Sequence, residues 1–211
     1  TGIGIEGEKS GLVPSRKWKR RVKHEPWLPG ETLLFGIGQG YVLATPIQVA
    51  TFYCALANGG RLLKPKLVER IEDPGTGRVE FERSEVIGEL PVSKAQLEVV
   101  RAALLGVTEE ESGTGRLARV EGIKVAGKTG TAQVSSERGD GSEVPEDHAW
   151  FAAFAPFERP EICVVVLVEH GGKGGSVAAP IAGRIIEAYF DLKSRRSRRS
   201  EQRSGSTDAE P

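Results

Sequence analysis

The 211-residue chain has no methionine, only two cysteines and three histidines, and as many acidic as basic residues. Each shortage narrows the reading. Cys54 and Cys163 sit far apart inside apolar runs and lack metal-ligand spacing, so they read as two buried, unreactive thiols rather than a disulfide or metal site. A formal net charge of +0 gives no overall basic footprint for nucleic acid, and no cofactor is called for. No apolar run is long enough for a membrane-spanning helix, and no stretch reads as a signal peptide. A chain that starts at Thr1 without any methionine is expected to be a piece of a longer protein. Its length still suffices for one domain with a real core.

What is present is concentrated in residues Gly122 to Val134, which read Gly-Ile-Lys-Val-Ala-Gly-Lys-Thr-Gly-Thr-Ala-Gln-Val. Gly122, Gly127, Lys128 and Thr129 fit the spacing of a phosphate loop. Lys128-Thr129-Gly130 is also the Lys-Thr-Gly signature of penicillin-binding proteins and serine β-lactamases. A phosphate loop must hand over to a helix, whose N-terminal amides and dipole hold the phosphates. Gly130, Thr131, Val134, Ser135 and Ser136 are poor helix material, so a strand running into a loop is expected and the nucleotide reading becomes remote. On a strand, the Lys128 ammonium supplies positive charge, and the Thr129 and Thr131 hydroxyls suit a carboxylate. Gly130, having no Cβ, admits a ligand close to the backbone. A bare Lys-Thr-Gly triplet is far more often just an amphipathic edge strand with an exposed lysine, so the triplet needs support from the rest of the chain.

Around this strand the signals are local. Residues Thr1 to Gly40 read as an extended, loop-rich approach. Within it, Arg16-Lys17-Trp18-Lys19-Arg20-Arg21-Val22-Lys23 is a basic cluster whose simplest reading is a solvated positive face. Thr45-Pro46-Ile47-Gln48 starts a helix with Val49, Phe52, Tyr53 and Leu56 on one side, stopped by Asn58-Gly59-Gly60. Arg61 to Ile71 and Arg78 to Phe81 read as strands around the turn Asp73 to Gly77. Ser93 to Val107 reads as a helix with Leu97, Val100, Leu104 and Leu105 inward. Glu109 to Gly115 is a loop, and Ser135 to Asp147 another. Ala149 to Ala155 and Glu161 to Val168 are expected to pair as an antiparallel hairpin. The run Gly171 to Gly175 leads into a helix from about Val177 to Asp191, with Ile181, Ile185, Ile186 and Tyr189 or Phe190 along one face. From Lys193 to Pro211 the basic tail loses its apolar content and is expected to be disordered. Such an order of elements gives an α+β domain, an antiparallel sheet flanked by helices.

At this point the chain resembles a known family. Thr1-Gly2-Ile3, Ser10 to Ser15 with Trp18-Lys19, Pro29-Gly30-Glu31-Thr32, Gly36-Ile37-Gly38-Gln39-Gly40-Tyr41 and Ala44 to Gln48 carry the resemblance in the first part. Ala57-Asn58-Gly59-Gly60, Ala126 to Gln133, His148-Ala149-Trp150-Phe151 and Phe154-Ala155-Pro156 continue it. Together they look like the C-terminal part of the transpeptidase domain of class B penicillin-binding proteins, most similar to elongation-type members. The resemblance covers residues 1–192 as one incomplete domain with a serine β-lactamase/transpeptidase-like fold, leaving 193–211 as a tail without counterpart.

The resemblance implies a D,D-transpeptidase that cross-links peptidoglycan: a serine activated by lysine attacks a D-alanyl-D-alanine stem peptide, and the acyl group passes to an amine. β-Lactams would acylate the same serine. Lys128 would supply electrostatics, Thr129 and Gly130 would bind the substrate end, and Thr131 would give an oxyanion N–H, with Gln133 bordering the cleft. It also implies a membrane anchor, a catalytic domain outside the cytoplasmic membrane, and a polytopic glycosyltransferase partner, with no nucleic acid. One departure is large: no lysine stands in an S-x-x-K motif and no S-x-N element exists, since the single asparagine is Asn58. The nucleophile and its base are therefore expected upstream of Thr1, and this chain alone is expected to be inactive. A catalytically dead scaffold or binding module is the alternative.

Overall fold

The computed structural model describes residues 1–133 and 146–205. The segment read as loop at its start holds two short helices, α1 (Arg16–Val22) and α2 (Pro29–Gly36). Their start signals lie in the sequence. Ser15 caps α1 by accepting the Trp18 N–H at 3.1 Å, and α2 opens on Pro29 with Glu31 accepting the Leu28 N–H at 2.7 Å. The basic cluster is only partly a solvated face, because Lys19 is buried between Glu31 at 2.6 Å and Glu25 at 3.4 Å. It ties α1 to α2.

Helix α3 (Pro46–Ala57) begins as its capping box requires, with Thr45 and Gln48 exchanging hydrogen bonds at 3.3 and 2.9 Å. Tyr53 and Leu56 face the core, whereas Phe52 is exposed. The next stretch departs from expectation. Strand β1 (Arg61–Leu63) is short and pairs with the unforeseen strand β4 (Val86–Glu89), while β2 (Arg70–Glu72) and β3 (Val79–Phe81) form the hairpin around Asp73 to Gly77. Both β2 and β3 are solvent-exposed throughout, so no buried face extends the strand Arg61 to Ile71 as a single element. Helix α4 (Lys94–Glu109) has Ser93 and Gln96 as cap partners. Its inner face is Leu97, Arg101, Leu104 and Thr108; Val100 is exposed, because Arg101 takes the place assigned to it.

A 3-10 turn (Arg116–Ala118) leads to β5 (Ala126–Ala132), then β6 (His148–Ala155) and β7 (Ile162–Val168). These make an antiparallel sheet in the order β5-β6-β7, with Lys128 opposite Ala152 and Thr131 opposite Ala149. Thus β6, not β5, is the middle strand. It is apolar on both sides, as a strand covered on both faces must be. Ala152 and Phe154 pack under α3 and α4, while Phe151, Ala153 and Ala155 pack under the last helix, α5 (Ala178–Gly205). The inner face of α5 is built from Ala178, Ala179, Ala182 and Ile186, and Ile181 and Ile185 point outward. Small residues let α5 lie close on the sheet, which a search for large apolar side chains overlooks. The helix runs past Asp191, so the tail expected to be disordered from Lys193 is helical as far as Gly205. Its Lys, Arg, Glu and Gln are good helix formers, no proline interrupts them, and Lys193 pairs with Glu161. Residues 134–145, where most of the expected Ser135 to Asp147 loop falls, and 206–211 lie outside the described residues.

The architecture is α+β: an antiparallel sheet with α3 and α4 on one face and α5 on the other. A phosphate loop is excluded. Lys128 and Thr129 lie inside β5, which runs on to Ala132, so no helix starts at Thr129.

Candidate functional site

The site is organised by the free edge of β5. Because, among the described residues, β5 pairs with β6 on one side only, alternate residues turn their backbone groups outward. The Gln39 side chain donates to the Thr131 carbonyl at 2.9 Å, and the Lys128 Nζ donates to the Thr129 carbonyl at 3.0 Å. Neither carbonyl is therefore spent on β6 alone. In an extended strand the N–H and C=O of one residue point the same way, so Thr129 and Thr131 present both groups to the open edge.

Side chains complete the edge. The Lys128 ammonium also reaches the Thr129 hydroxyl at 3.4 Å, and that hydroxyl is 2.9 Å from the hydroxyl of Thr114. Among the described residues no carboxylate pairs with Lys128, which is exposed. A cation held in place without a counter-ion, beside two threonine hydroxyls, is suited to receive an external carboxylate.

Thr129 and Thr131 line a groove of about 980 Å³ whose opposite wall is the glycine-rich segment Gly171 to Gly175 leading into α5. That segment is not idle linker. A Cβ on Gly174 would fall 2.2 Å from the Trp150 carbonyl oxygen and 2.4 Å from that of Gly130. A Cβ on Gly175 would fall 2.4 Å from the Thr114 carbonyl oxygen. Glycine lets the segment lie directly on the sheet backbone. Gly130 itself faces the Trp150 side chain, with room for a Cβ only at 3.1 Å from it. Glu146 and Asp147 also line the groove, fixed by the Gly172 N–H donating to the Asp147 carbonyl at 2.8 Å. On the other flank, Gly130 to Gln133 border a second hollow of about 590 Å³ shared with Ile37 to Ala44.

Lys128, Thr129, Gly130, Thr131 and Gln133 are thus brought to one rib between two hollows, with Thr131 facing both. Two supporting residues had been assigned no role. Gln39 sits in the Gly36 to Tyr41 stretch, where glycines flanking one polar side chain were a usable signal. Thr114 had none, because its meeting with Thr129 is made by the tertiary fold. Among the described residues there is no His, Cys, Asp and Glu cluster able to hold a metal, and no helix long and apolar enough to cross a membrane.

The chain is similar to known proteins over most of its length. Residues 1–187 match the family model described as the penicillin binding protein transpeptidase domain. The chain is 37% identical over 202 residues to the peptidoglycan D,D-transpeptidase MrdA of Haemophilus influenzae, covering 92% of this chain and 31% of that protein. Among solved structures it is similar to Pseudomonas aeruginosa PBP2 in complex with WCK 5153, with a TM-score of 0.74 and 35% identity over 89% of this chain and 38% of that one. It is also similar to penicillin-binding protein A from M. tuberculosis, as a penicillin G acyl-enzyme complex, with a TM-score of 0.61 and 30% identity over 74% of this chain and 34% of that one. The chain spans about a third of the length of these proteins. On sequence, fold and the placement of its Lys-Thr-Gly strand, the chain belongs to the penicillin-binding protein transpeptidase domain family.

Proposed function

We propose that this chain is the substrate-carboxylate wall of a peptidoglycan D,D-transpeptidase. The observation that supports it most is the edge of β5, where Lys128, with no acidic partner among the described residues, reaches the Thr129 carbonyl and hydroxyl. The terminal carboxylate of a D-alanyl-D-alanine stem peptide lies against Lys128, Thr129 and Thr131, and Gly130 keeps the strand narrow beneath it. The outward Thr131 N–H receives the oxyanion that forms as the scissile carbonyl is attacked; one such donor is worth about 3 kcal/mol of transition-state stabilisation. Gln39, by holding the Thr131 carbonyl, sets the direction of that N–H. Gln133 borders the second hollow, on the other flank of β5.

The chain holds no S-x-x-K and no S-x-N, so the attacking serine, its lysine and the second oxyanion donor come from sequence outside these residues. The 211 residues alone are inactive on this reading. In the complete protein a membrane anchor holds the domain outside the cytoplasmic membrane, a glycan-polymerising membrane glycosyltransferase is its partner, and β-lactams acylate the serine. The penicillin G acyl-enzyme of the M. tuberculosis relative supports that last point.

Fluorescent penicillin tests the division of roles. No covalent labelling of residues 1–211 is expected, and labelling of the complete protein is. Labelling of the 211-residue chain itself would overturn the assignment.

A further inference from the structure

The two cysteines stand 109 positions apart in sequence (163 − 54), yet the fold brings them together. Cys54 lies in the last turns of α3, and Cys163 is the second residue of β7. Along β7, Val164 and Val166 face α5, so Cys163 and Val165 face α3 and α4. The Cys163 thiol reaches the Ala50 carbonyl at 3.7 Å, and Ala50 is one helical turn before Cys54. That contact sets the Cys163 sulfur beside the turn of α3 that carries Cys54. Both residues are half-buried and free, so they are neither separate nor sealed in the core as their sequence context suggests.

We infer that Cys54 and Cys163 are a thiol pair built to form an internal disulfide, stapling α3 to β7 when the protein meets a small aliphatic disulfide of the glutathione class. Geometry makes the step short: the Cys163 sulfur already lies against the turn of α3 that carries Cys54, and α3 packs directly on β7. The neighbouring Cys163 thiol lowers the Cys54 thiol to about 7, against the opposing effect of burial. The same contact and burial raise Cys163. The Cys54 thiolate is therefore the first nucleophile. It attacks the donor disulfide, forms a Cys54 mixed disulfide and releases one donor thiolate. That thiolate takes the proton from Cys163. The Cys163 thiolate then attacks the Cys54 sulfur, closing the internal bond and expelling the second donor sulfur as a thiolate, which takes from solvent the proton that Cys54 had given up. Two protein thiols are oxidised by two electrons and one donor disulfide is reduced to two thiols.

The staple acts where it matters for the groove edge. α3 follows directly on the Gly36 to Ala44 stretch that carries Gln39, the residue holding Thr131. Fixing α3 to the sheet fixes the base of that stretch.

The test is an equilibrium of the 211-residue chain with reduced and oxidised glutathione, in native buffer and in concentrated urea, read as loss of two hydrogens by intact mass. Because the chain has only these two cysteines, the cross-link is unambiguous. The expected effective concentration of one thiol for the other is about 100-fold or more higher in native buffer than in urea. A ratio near one, or below it, would overturn the inference. A Cys163→Ser variant gives the second reading: it should stop at a single glutathione on Cys54, whereas failure of Cys54 to take glutathione while a Cys54→Ser variant takes it at Cys163 would refute the order of attack.

Discussion

Three cations in this chain have different work, and their surroundings tell them apart. Lys19 is buried and matched by two glutamates. Arg101 is buried and spends its guanidinium on backbone: Nη1 donates to the Leu56 carbonyl at 3.2 Å and the Ala57 carbonyl at 2.7 Å, and Nη2 donates to the Phe157 carbonyl at 2.8 Å. Its guanidinium carbon also lies 5.2 Å from the Phe154 ring centre and 5.3 Å from that of Phe157. Lys128 alone of the three is exposed, with no acidic partner among the described residues. A structural cation is consumed by its neighbours; Lys128 is held but not consumed. Arg101→Ala strands three carbonyls in a buried setting and should cost about 3 kcal/mol in urea unfolding. Arg101→Lys should recover little of it, since an ammonium cannot reproduce the planar fork. A loss below about 1 kcal/mol for Arg101→Ala would show that water replaces the guanidinium there.

At the level of elements, the chain is most legible where a local rule is complete. Thr45-Pro46-Ile47-Gln48 and Ser93 to Gln96 each contain both halves of a capping box, and α3 and α4 begin where those boxes place them. The pair β6 and β7 follows from two apolar runs and a short turn. α1 and α2 were hidden because glycine and proline around them read as loop, although Pro29 and Glu31 repeat the logic of Pro46 and Gln48. The inner face of α5 was hidden because its contacts are alanines, and Val100 was misplaced because an arginine took the core position.

The α1–α2 clamp has a pH consequence. Its Glu31 carboxyl is held below the usual carboxylate value, first by the Leu28 N–H and then by Lys19. A lowered carboxyl stabilises the fold fully above the ordinary carboxylate pKa and loses that contribution as pH falls through the folded value. The difference in melting temperature between the parent chain and Glu31→Gln should therefore be greatest near neutral pH and shrink toward zero in acid. A difference that persists unchanged below the carboxylate range would contradict this role.

Taken whole, the molecule is a sheet buried on both faces whose two outer strands, β5 and β7, have no further strand partner among the described residues, and the β5 edge carries the Lys-Thr-Gly strand. The site was legible in part because its residues are consecutive: Lys128 to Thr131 could be read as a strand, and glycine after the threonine argued against a helix. What surrounds it was not legible. Thr114, Gln39 and Gly174 reach β5 from three separate segments, and the purpose of the glycine run emerges only when Gly174 lies on the carbonyls of Gly130 and Trp150.

The central claim is that this edge receives a peptide's terminal carboxylate. It is tested most directly by nuclear magnetic resonance titration of the 15N-labelled chain with N-acetyl-D-alanyl-D-alanine, and separately with the same dipeptide as its C-terminal amide. The acid should shift the amide signals of Thr129, Gly130 and Thr131 above all others, and the amide form should leave them nearly in place. Equal shifts from both peptides, or shifts from the acid that avoid these three residues, would contradict the account.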